Sequence, residues 1–122
     1  MNTTPEHDIK IAKLIFASVY PLYVTKLNRK GRTEQELIQV INWLTGYNEV
    51  KINELILKKV DFKVFFENAK LNPNANLIKG IICGYRVEDI ENELTQQIRY
   101  LDKLVDELAQ GKKMEKILRS IK

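Results

Sequence analysis

Few side chains in this sequence belong to the types that bind metals or act as nucleophiles. His7 is the single histidine and Cys83 the single cysteine. A zinc or transition-metal site needs several such ligands at short spacing, and the acids are scattered along predicted solvent-facing sides of helices. We therefore expect no metal and no other cofactor. Cys83 falls at a predicted helix end, where the helix dipole opposes a thiolate, so we expect it to be buried and unreactive.

A second set of residues could line a binding cleft. Several tyrosines fall at or near predicted helix ends, and Arg86 follows Tyr85 just after a predicted glycine stop, so its guanidinium could project into a cleft. The candidate cleft consists of Tyr20, Tyr47, Tyr85, Arg86 and Glu88. A structural interpretation stands beside it, because aromatic rings usually anchor a core and Glu88 suits the positive end of a following helix.

The net charge of +4 raises the question of nucleic-acid binding. The whole excess lies in residues 110–122, where five basic residues accompany one acid, Glu115. The helix after Asn48 resembles the second half of a helix-turn-helix, but it would present Glu49 and Glu54 where DNA-binding proteins carry a basic face. The sequence therefore argues against nucleic-acid binding. If such binding occurs, we expect it at the basic C-terminal helix.

Glycines and capping residues divide the chain into predicted helices. Apolar residues recur at helical spacing, and glycines that can end a helix in the left-handed conformation follow four of the segments. Thr33 and Glu36 form a capping box, and Asn48, Asp61 and Asn72 precede further helices. No run alternates long enough to predict a strand. The predicted helices span residues 17–30, 34–45, 49–59, 62–69, 73–84, 87–110 and 113–121.

Three local expectations accompany these boundaries. Residues 9–16 fit either a short helix or an extended arm. Pro21 is tolerable in a helix only within the first turn, so we expect Ser18 to cap the helix that contains it. Gly80 and Gly84 stand four apart on one predicted helix face, where we expect them to let another helix approach closely. They do not form a phosphate-binding loop, because the sequence lacks the Gly-Lys-Ser/Thr ending of that motif.

The helix over residues 87–110 is the longest predicted element. Its apolar stripe follows the ~3.6-residue period of a straight helix rather than the ~3.5-residue period of a coiled coil, and Gln97 interrupts a strict heptad. We expect it to pack within its own domain, in a monomer or a homodimer. The tail helix should cover the bundle with its apolar stripe and turn its lysines to water. The apolar residues of that stripe are Met114, Ile117, Leu118 and Ile121.

The fold expected from these elements is all-α. It is an irregular orthogonal bundle of six or seven helices with one long C-terminal helix and a short basic tail helix. We expect one domain over residues 1–122, with residues 1–8 flexible. This length is typical of a single domain.

Export and membrane insertion are not expected. The uncharged run at residues 14–25 is shorter than the ~20 residues of a membrane span, and Pro21 interrupts it. Glu6 and Asp8 stand where a signal peptide carries positive charge. A chain with one cysteine cannot form an internal disulfide, which favours the reducing cytoplasm.

Several blocks of the sequence resemble a known bacterial family. They are ASVYPLYV at 17–24, KGRT at 30–33, WLTGY at 43–47, VDF at 60–62, GYRVEDI at 84–90 and IRYLDKLVDEL at 98–108. Together they make the chain, from about residue 16 to 119, similar to the uncharacterised family named domain of unknown function 2200. The resemblance implies a small helical cytoplasmic bacterial protein and carries over no functional residue.

These observations favour a small cytoplasmic module that is not an enzyme and acts by interaction or regulation, with a protein partner not yet known. The alternative is a small-molecule-binding protein or an enzyme that uses the Tyr/Arg cleft. The third class is nucleic-acid binding through the basic C-terminal helix.

Overall fold

The computed structural model describes residues 2–119, and within them the chain is mostly α-helical. The helices are α1 (Pro5–Ala12), α2 (Phe16–Arg29), α3 (Glu34–Thr45), α4 (Glu49–Leu57), α5 (Phe62–Glu67), α6 (Glu93–Ala109) and α7 (Met114–Ile117). Two 3-10 segments cover Pro73–Leu77 and Val87–Asp89, and a small antiparallel hairpin pairs β1 (Ile81–Ile82) with β2 (Tyr85–Arg86). The predicted all-α class is confirmed.

The long helix α6 forms the centre of the molecule. It packs against α1, α2, α3, α5, α7 and the hairpin. From Ile98 onward its predicted apolar stripe is confirmed, since Ile98, Leu101, Val105 and Leu108 are at most 1% exposed, whereas Ile90 precedes the helix and Leu94 is only partly buried. A second part of the core is aromatic, where the ring of Phe16 stacks on Phe65 with centroids 4.3 Å apart. Burial of these apolar surfaces is the dominant stabilising contribution to such a fold.

Helix ends with complete capping signals lie where the sequence places them. The Thr33 hydroxyl accepts a hydrogen bond from the Glu36 backbone N–H, and the Glu36 side chain accepts one from the Thr33 N–H, which completes the capping box of α3. Gly46 ends that helix with a φ of 78°. Asn48 and Asp61 cap α4 and α5 through the backbone N–H groups of Lys51 and Val64.

The start of α2 differs from the prediction. The helix begins at Phe16, Ile15 occupies the cap position without a side-chain hydrogen bond, and Ser18 lies inside the first turn. Pro21 therefore stands in the second turn, where it removes one helical hydrogen bond. Contacts with the chain before α5 account for the early start. The Phe16 N–H donates to the Val60 carbonyl, and Ile15 forms a β-bridge with Asp61.

The predicted helix over residues 73–84 is wrong. Pro73–Leu77 forms one 3-10 segment, and the chain then turns through the hairpin at Cys83 and Gly84, with φ values of 52° and 84°. Two consecutive residues with positive φ are typical of the tight turns that join hairpin strands. Gly80 has a φ of 116° and lies outside any helix, so the expected close helix–helix approach at Gly80 and Gly84 is wrong as well.

The boundaries at the two ends of the chain also need correction. Pro5–Asp8, which we expected to be flexible, belongs to α1, with Thr4 as the cap. Residues 9–16 fit neither alternative, because α1 continues to Ala12 and a turn at Lys13 and Leu14 then leads to the bridge residue Ile15. Asn92 caps α6, which starts six residues later than predicted because Val87–Asp89 forms a separate 3-10 turn. The tail helix is shorter than predicted, and Ile121 lies outside the described residues.

Candidate functional site

Two members of the predicted cleft are core anchors. The Tyr20 hydroxyl donates to the Glu34 carboxylate at 2.8 Å, and the Tyr47 hydroxyl donates to the Phe65 carbonyl at 2.6 Å. Both rings are buried, at 7% exposure each. Burial raises the pKa of both phenols, and the Glu34 carboxylate raises the pKa of Tyr20 further. These tyrosines remain protonated donors that bind the core together.

The other three members lie on or beside the hairpin. The Glu88 carboxylate accepts a hydrogen bond from the Gly80 N–H at 3.0 Å, which lowers the pKa of Glu88, and Arg86 lies 3.6 Å from the same carboxylate. The Tyr85 ring is 6.0 Å from the ring of His7. Among residues 2–119, no hydrogen bond, ion pair or ring contact joins these residues to Tyr20 or Tyr47. The structure therefore divides the predicted cleft between two places.

A different arginine gathers polar side chains from three elements. Arg99 of α6 donates from Nη1 to the Asp102 carboxylate at 2.7 Å, and the same nitrogen lies 3.5 Å from the Cys83 sulfur. Its Nη2 is 3.2 Å from Nε2 of His7 on α1. The Arg99 Nε is buried and has no hydrogen-bond partner in the described part of the chain. We call His7, Cys83, Arg99 and Asp102, with Tyr23, the Arg99 cluster.

Asp102 compensates the charge of Arg99 inside this cluster. One carboxylate oxygen receives the Arg99 hydrogen bond, and the other receives the Tyr23 hydroxyl at 2.5 Å. Burial raises the pKa of Tyr23 well above its ordinary value, and the neighbouring Asp102 carboxylate raises it further. Tyr23 therefore acts as a donor that holds Asp102 in place, and Asp102 in turn orients the guanidinium.

The contact between Arg99 and His7 defines the state of the imidazole. A guanidinium only donates hydrogen bonds, so His7 Nε2 must be the unprotonated acceptor. The ring is then neutral, with its proton on Nδ1. The contact also shows why sequence analysis missed His7, because 92 residues separate it from its partner. The only local signal was the three-residue spacing of Arg99 and Asp102 on one helix.

A cavity of about 210 Å³ opens beside the Arg99 cluster. It lies between α1 and α6 and combines two cationic side chains with apolar ones. Its lining residues are His7, Lys10, Ile11, Leu14 and Arg99. No acidic side chain of residues 2–119 lines it, because Asp102 approaches Arg99 from elsewhere.

Two larger cavities adjoin each other along another part of α6. The first, of about 400 Å³, is lined by Lys63, Phe66, Glu67, Glu93, Leu94 and Gln97. The second, of about 300 Å³, is lined by Leu71, Asn72, Pro73, Ala75, Asn76, Glu93, Gln96, Gln97 and Tyr100. Both are lined by Glu93 and Gln97, so they are neighbours on the surface, and we call the two together the α5–α6 groove. The residues of the predicted cleft, all of which the structure describes, line none of these cavities.

The prediction that the acidic side chains lie on solvent-facing sides of helices is wrong for one of them. Glu107 of α6 is 1% exposed, and Arg119 donates to both of its oxygens at 2.7 Å. Lys112 lies 3.4 Å from the same carboxylate. Burial alone would raise the pKa of Glu107, but Arg119 and Lys112 outweigh it and hold this pKa below its ordinary value. Lys112 and Arg119 of the tail therefore pair with a buried carboxylate.

Cys83 also departs from expectation, because it is an exposed free thiol in the hairpin turn rather than a buried residue at a helix end. Among residues 2–119, no group of three or more His, Cys, Asp or Glu side chains could hold a metal ion. Within the same residues, no helix combines the length and the apolar character that a membrane crossing requires.

Comparisons with known proteins found one family and one solved structure that are similar to this chain. The family described as "Uncharacterized protein conserved in bacteria (DUF2200)" matches residues 10–119. A crystal structure described as that of uncharacterized protein SP1917 is 40% identical and superposes with a TM-score of 0.84. That similarity covers 89% of this chain and 90% of the other. No curated protein matches the chain.

Proposed function

We propose a function from geometry, on the premise that the chain belongs to the DUF2200 family of uncharacterized bacterial proteins. The protein is an interaction module rather than an enzyme. It binds a short, extended peptide segment of a partner protein in the α5–α6 groove. The peptide carries a lysine or arginine side chain, and the module works in the cytoplasm, where its free Cys83 stays reduced.

The single observation behind this proposal is that two cavities adjoin each other along α6. Glu93 and Gln97 line both parts, so an extended chain that passes these two side chains can contact both parts at once. Phe66 and Tyr100 line the groove while being only 6% and 5% exposed. Their rings therefore provide a firm apolar floor, which peptide-binding grooves use to anchor side chains.

Side-chain amides support an extended peptide as the occupant. The side chains of Asn76 and Gln97 make no hydrogen bond within the described part of the chain. Each amide carries both a donor and an acceptor, which matches the alternating N–H and C=O groups of an extended backbone. Asn72 and Gln96 are already engaged, since they donate to the carbonyls of Trp43 and Val87.

Charge supports a basic residue on that peptide. Glu67 and Glu93 are exposed and form no ion pair with any residue between 2 and 119. Lys63 is the one cation among these residues that lines the groove, so the groove has an excess of one negative charge. A lysine or arginine of the partner would complement it, with its apolar stem against Leu94.

Selection of random linear peptides on the immobilised protein tests the proposal. We expect enriched peptides to share a basic residue and to lose about tenfold in affinity for Glu93→Lys, which corresponds to the loss of one favourable charge contact. Glu91→Lys is the matched control, because Glu91 is exposed on the same segment and does not line the groove. If no sequence is enriched, or if enriched peptides bind both variants equally, the proposal is wrong.

Nucleic-acid binding through the tail is not favoured by the contacts. Of the five basic tail residues, Arg119 and Lys112 are engaged with Glu107. Lys122 lies outside the described residues. Within residues 110–119, the exposed cations that remain, Lys113 and Lys116, are too few for a phosphate-binding face.

A further inference from the structure

We infer a second binding site, separate from the α5–α6 groove. The Arg99 guanidinium and the Lys10 ammonium bind the carboxylate of a small organic acid in the cavity between α1 and α6. His7 occupies part of this site when the acid is absent. Gln97 and Arg99 are two residues apart on α6 and therefore lie on nearly opposite sides of the helix, so this site does not depend on the groove.

On one edge of the Arg99 guanidinium, only one of the two nitrogen donors has a hydrogen-bond partner among residues 2–119. The Nη1 nitrogen serves Asp102 and Cys83. The other edge carries Nε and Nη2, whose N–H bonds run parallel and match the two oxygens of a carboxylate. On this edge, among residues 2–119, only Nη2 has a partner, the single nitrogen of His7, whereas Nε is buried without one. A buried donor without an acceptor is destabilising, and a carboxylate would satisfy both donors at once.

His7 is suited to give way to such a ligand. It accepts one hydrogen bond as a neutral ring, which is a weaker contact than the charge-assisted pair that a carboxylate forms. It stands in the first turn of α1, with its side chain partly exposed and lining the cavity. Rotation of the imidazole out of the cavity would free Nη2, on the edge of Arg99 that also carries Nε.

The lining indicates the class of acid. Asp102 already compensates Arg99, so Lys10 adds a positive charge of its own, and a single negative charge is favoured over the double charge of a phosphate. Ile11 and Leu14 provide apolar surface next to the two cations. A cavity of about 210 Å³ holds a few heavy atoms beyond the carboxylate. The ligand is therefore a monocarboxylate with a short apolar group.

Calorimetric titration of the full chain with butanoate tests this site, with butanamide as the neutral counterpart and inorganic phosphate as the competing anion. We expect saturable binding of butanoate, at least tenfold weaker binding of butanamide, and weaker binding of phosphate. In ¹⁵N-labelled protein, the Nε–H signal of Arg99 should shift on addition of butanoate. Absence of saturable binding, equal binding of the amide, or tighter binding of phosphate would overturn the assignment.

Three variants separate binding from a purely structural role. His7→Ala should strengthen butanoate binding severalfold, because the imidazole no longer competes for Nη2, whereas a structural role for His7 would weaken it. Lys10→Gln should weaken binding about tenfold, and Lys13→Gln should not, because Lys13 ends the same helix without lining the cavity. Thermal unfolding of each variant checks that it is folded. Weaker binding by His7→Ala or equal binding by Lys10→Gln would contradict the site. Unchanged butanoate binding by Glu93→Lys would show that the two sites are independent.

Discussion

Glu107 is a carboxylate that α6 buries against the tail. An isolated buried charge is strongly unfavourable, and here Arg119 contacts both oxygens while Lys112 contributes from the other end of the segment. Arg119 itself is only 18% exposed at its side chain, so the pair is weakly screened by solvent. Such a pair contributes to the position of the tail as well as to its stability.

Glu107→Gln should therefore destabilise the protein, since it leaves Arg119 without its charged partner in a largely buried place. We expect a loss of about 2 kcal/mol in the free energy of unfolding, the range for a hydrogen-bonded charged pair. Urea denaturation measures it, with Glu115→Gln as the control, because Glu115 is exposed and unpaired among residues 2–119. Equal stabilities of the two variants would mean that the buried pair contributes nothing.

The same carboxylate should make stability depend on acidity. Its pKa is lowered in the folded state, so its contribution is fully present above the unfolded value of about 4.3 and is lost as pH falls through the folded pKa. Below about pH 4.3, the stability difference between the wild type and Glu107→Gln should shrink with falling pH. Denaturation curves of both proteins from pH 7 to pH 3 test this, and a constant difference would contradict it.

Cys83 should react readily with thiol reagents in the native protein, contrary to our expectation from sequence. Its side chain is exposed at the hairpin turn, so no unfolding is needed to reach the sulfur. We expect a labelling rate within about an order of magnitude of that in urea-unfolded protein, which serves as the control. A native rate slower by several orders of magnitude would show that the turn protects the thiol.

At the scale of elements, the sequence predicts best where a complete local signal exists. The capping box at Thr33 and the stop at Gly46 define α3 because backbone donors, side chain and glycine all lie within a few residues. The prediction of a helix where the hairpin stands was wrong for a physical reason. Each strand has two residues, too few for an alternating pattern, while Gly80 and Gly84 at four-residue spacing favour a helix.

The Arg99 cluster could not be predicted from local patterns. It depends on the packing of α1 and the hairpin against α6, which brings His7 and Cys83 to Arg99 across 92 and 16 residues. A tyrosine–arginine site was anticipated, but with Tyr20, Tyr47 and Arg86 rather than with Tyr23 and Arg99. Which tyrosine and which arginine lie together is determined by the tertiary fold.

The left-handed turns lead to a prediction for two glycines. Gly46→Val and Gly84→Val should each cost more than about 1 kcal/mol, because φ values of 78° and 84° disfavour residues with a Cβ and β-branched ones most of all. Apart from its two chain neighbours, a Cβ added at Gly84 would meet no atom of residues 2–119 within 4 Å, so the cost there comes from the backbone. Gly84→Asn is the control, since asparagine tolerates this conformation, and urea denaturation should show it close to wild type. Equal stability of the Val and Asn variants would refute the conformational argument.

In the molecule as a whole, α6 contributes residues to both candidate sites and to the buried ion pair at the tail. Glu93 and Gln97 face the α5–α6 groove, Arg99 faces the cavity below α1, and Glu107 faces the tail. A ligand at either site therefore contacts the helix that contributes more buried apolar residues to the core than any other element. We expect butanoate or a groove-binding peptide to raise the unfolding temperature, as any ligand that binds only the folded state does.

Packing and charge both hold the tail against the rest of the molecule. Ile117 is fully buried, and Met114 and Leu118 pack against the core. Arg32 donates to the Lys112 carbonyl at 2.8 Å, and Asn74 donates to the Arg119 carbonyl at 3.3 Å, so contacts fix both ends of the segment. Full burial of one such apolar side chain is worth about 1.5–3 kcal/mol, similar to the buried pair at Glu107. Neither contribution alone dominates.

Truncation after Gly111 should therefore lower the unfolding temperature more than the loss of either contribution alone. It removes Ile117 from the core and leaves Glu107 without Arg119. Ile117→Ala and Arg119→Gln should each reproduce part of the effect in thermal unfolding, whereas changing Lys113 and Lys116 to glutamine should have little effect, because both are exposed. If Arg119→Gln were harmless and Ile117→Ala as damaging as truncation, packing alone would hold the tail. A harmless truncation that abolished binding to RNA would instead identify the tail as a nucleic-acid-binding arm, since an arm that contributes nothing to the fold would owe its basic residues to phosphate contacts.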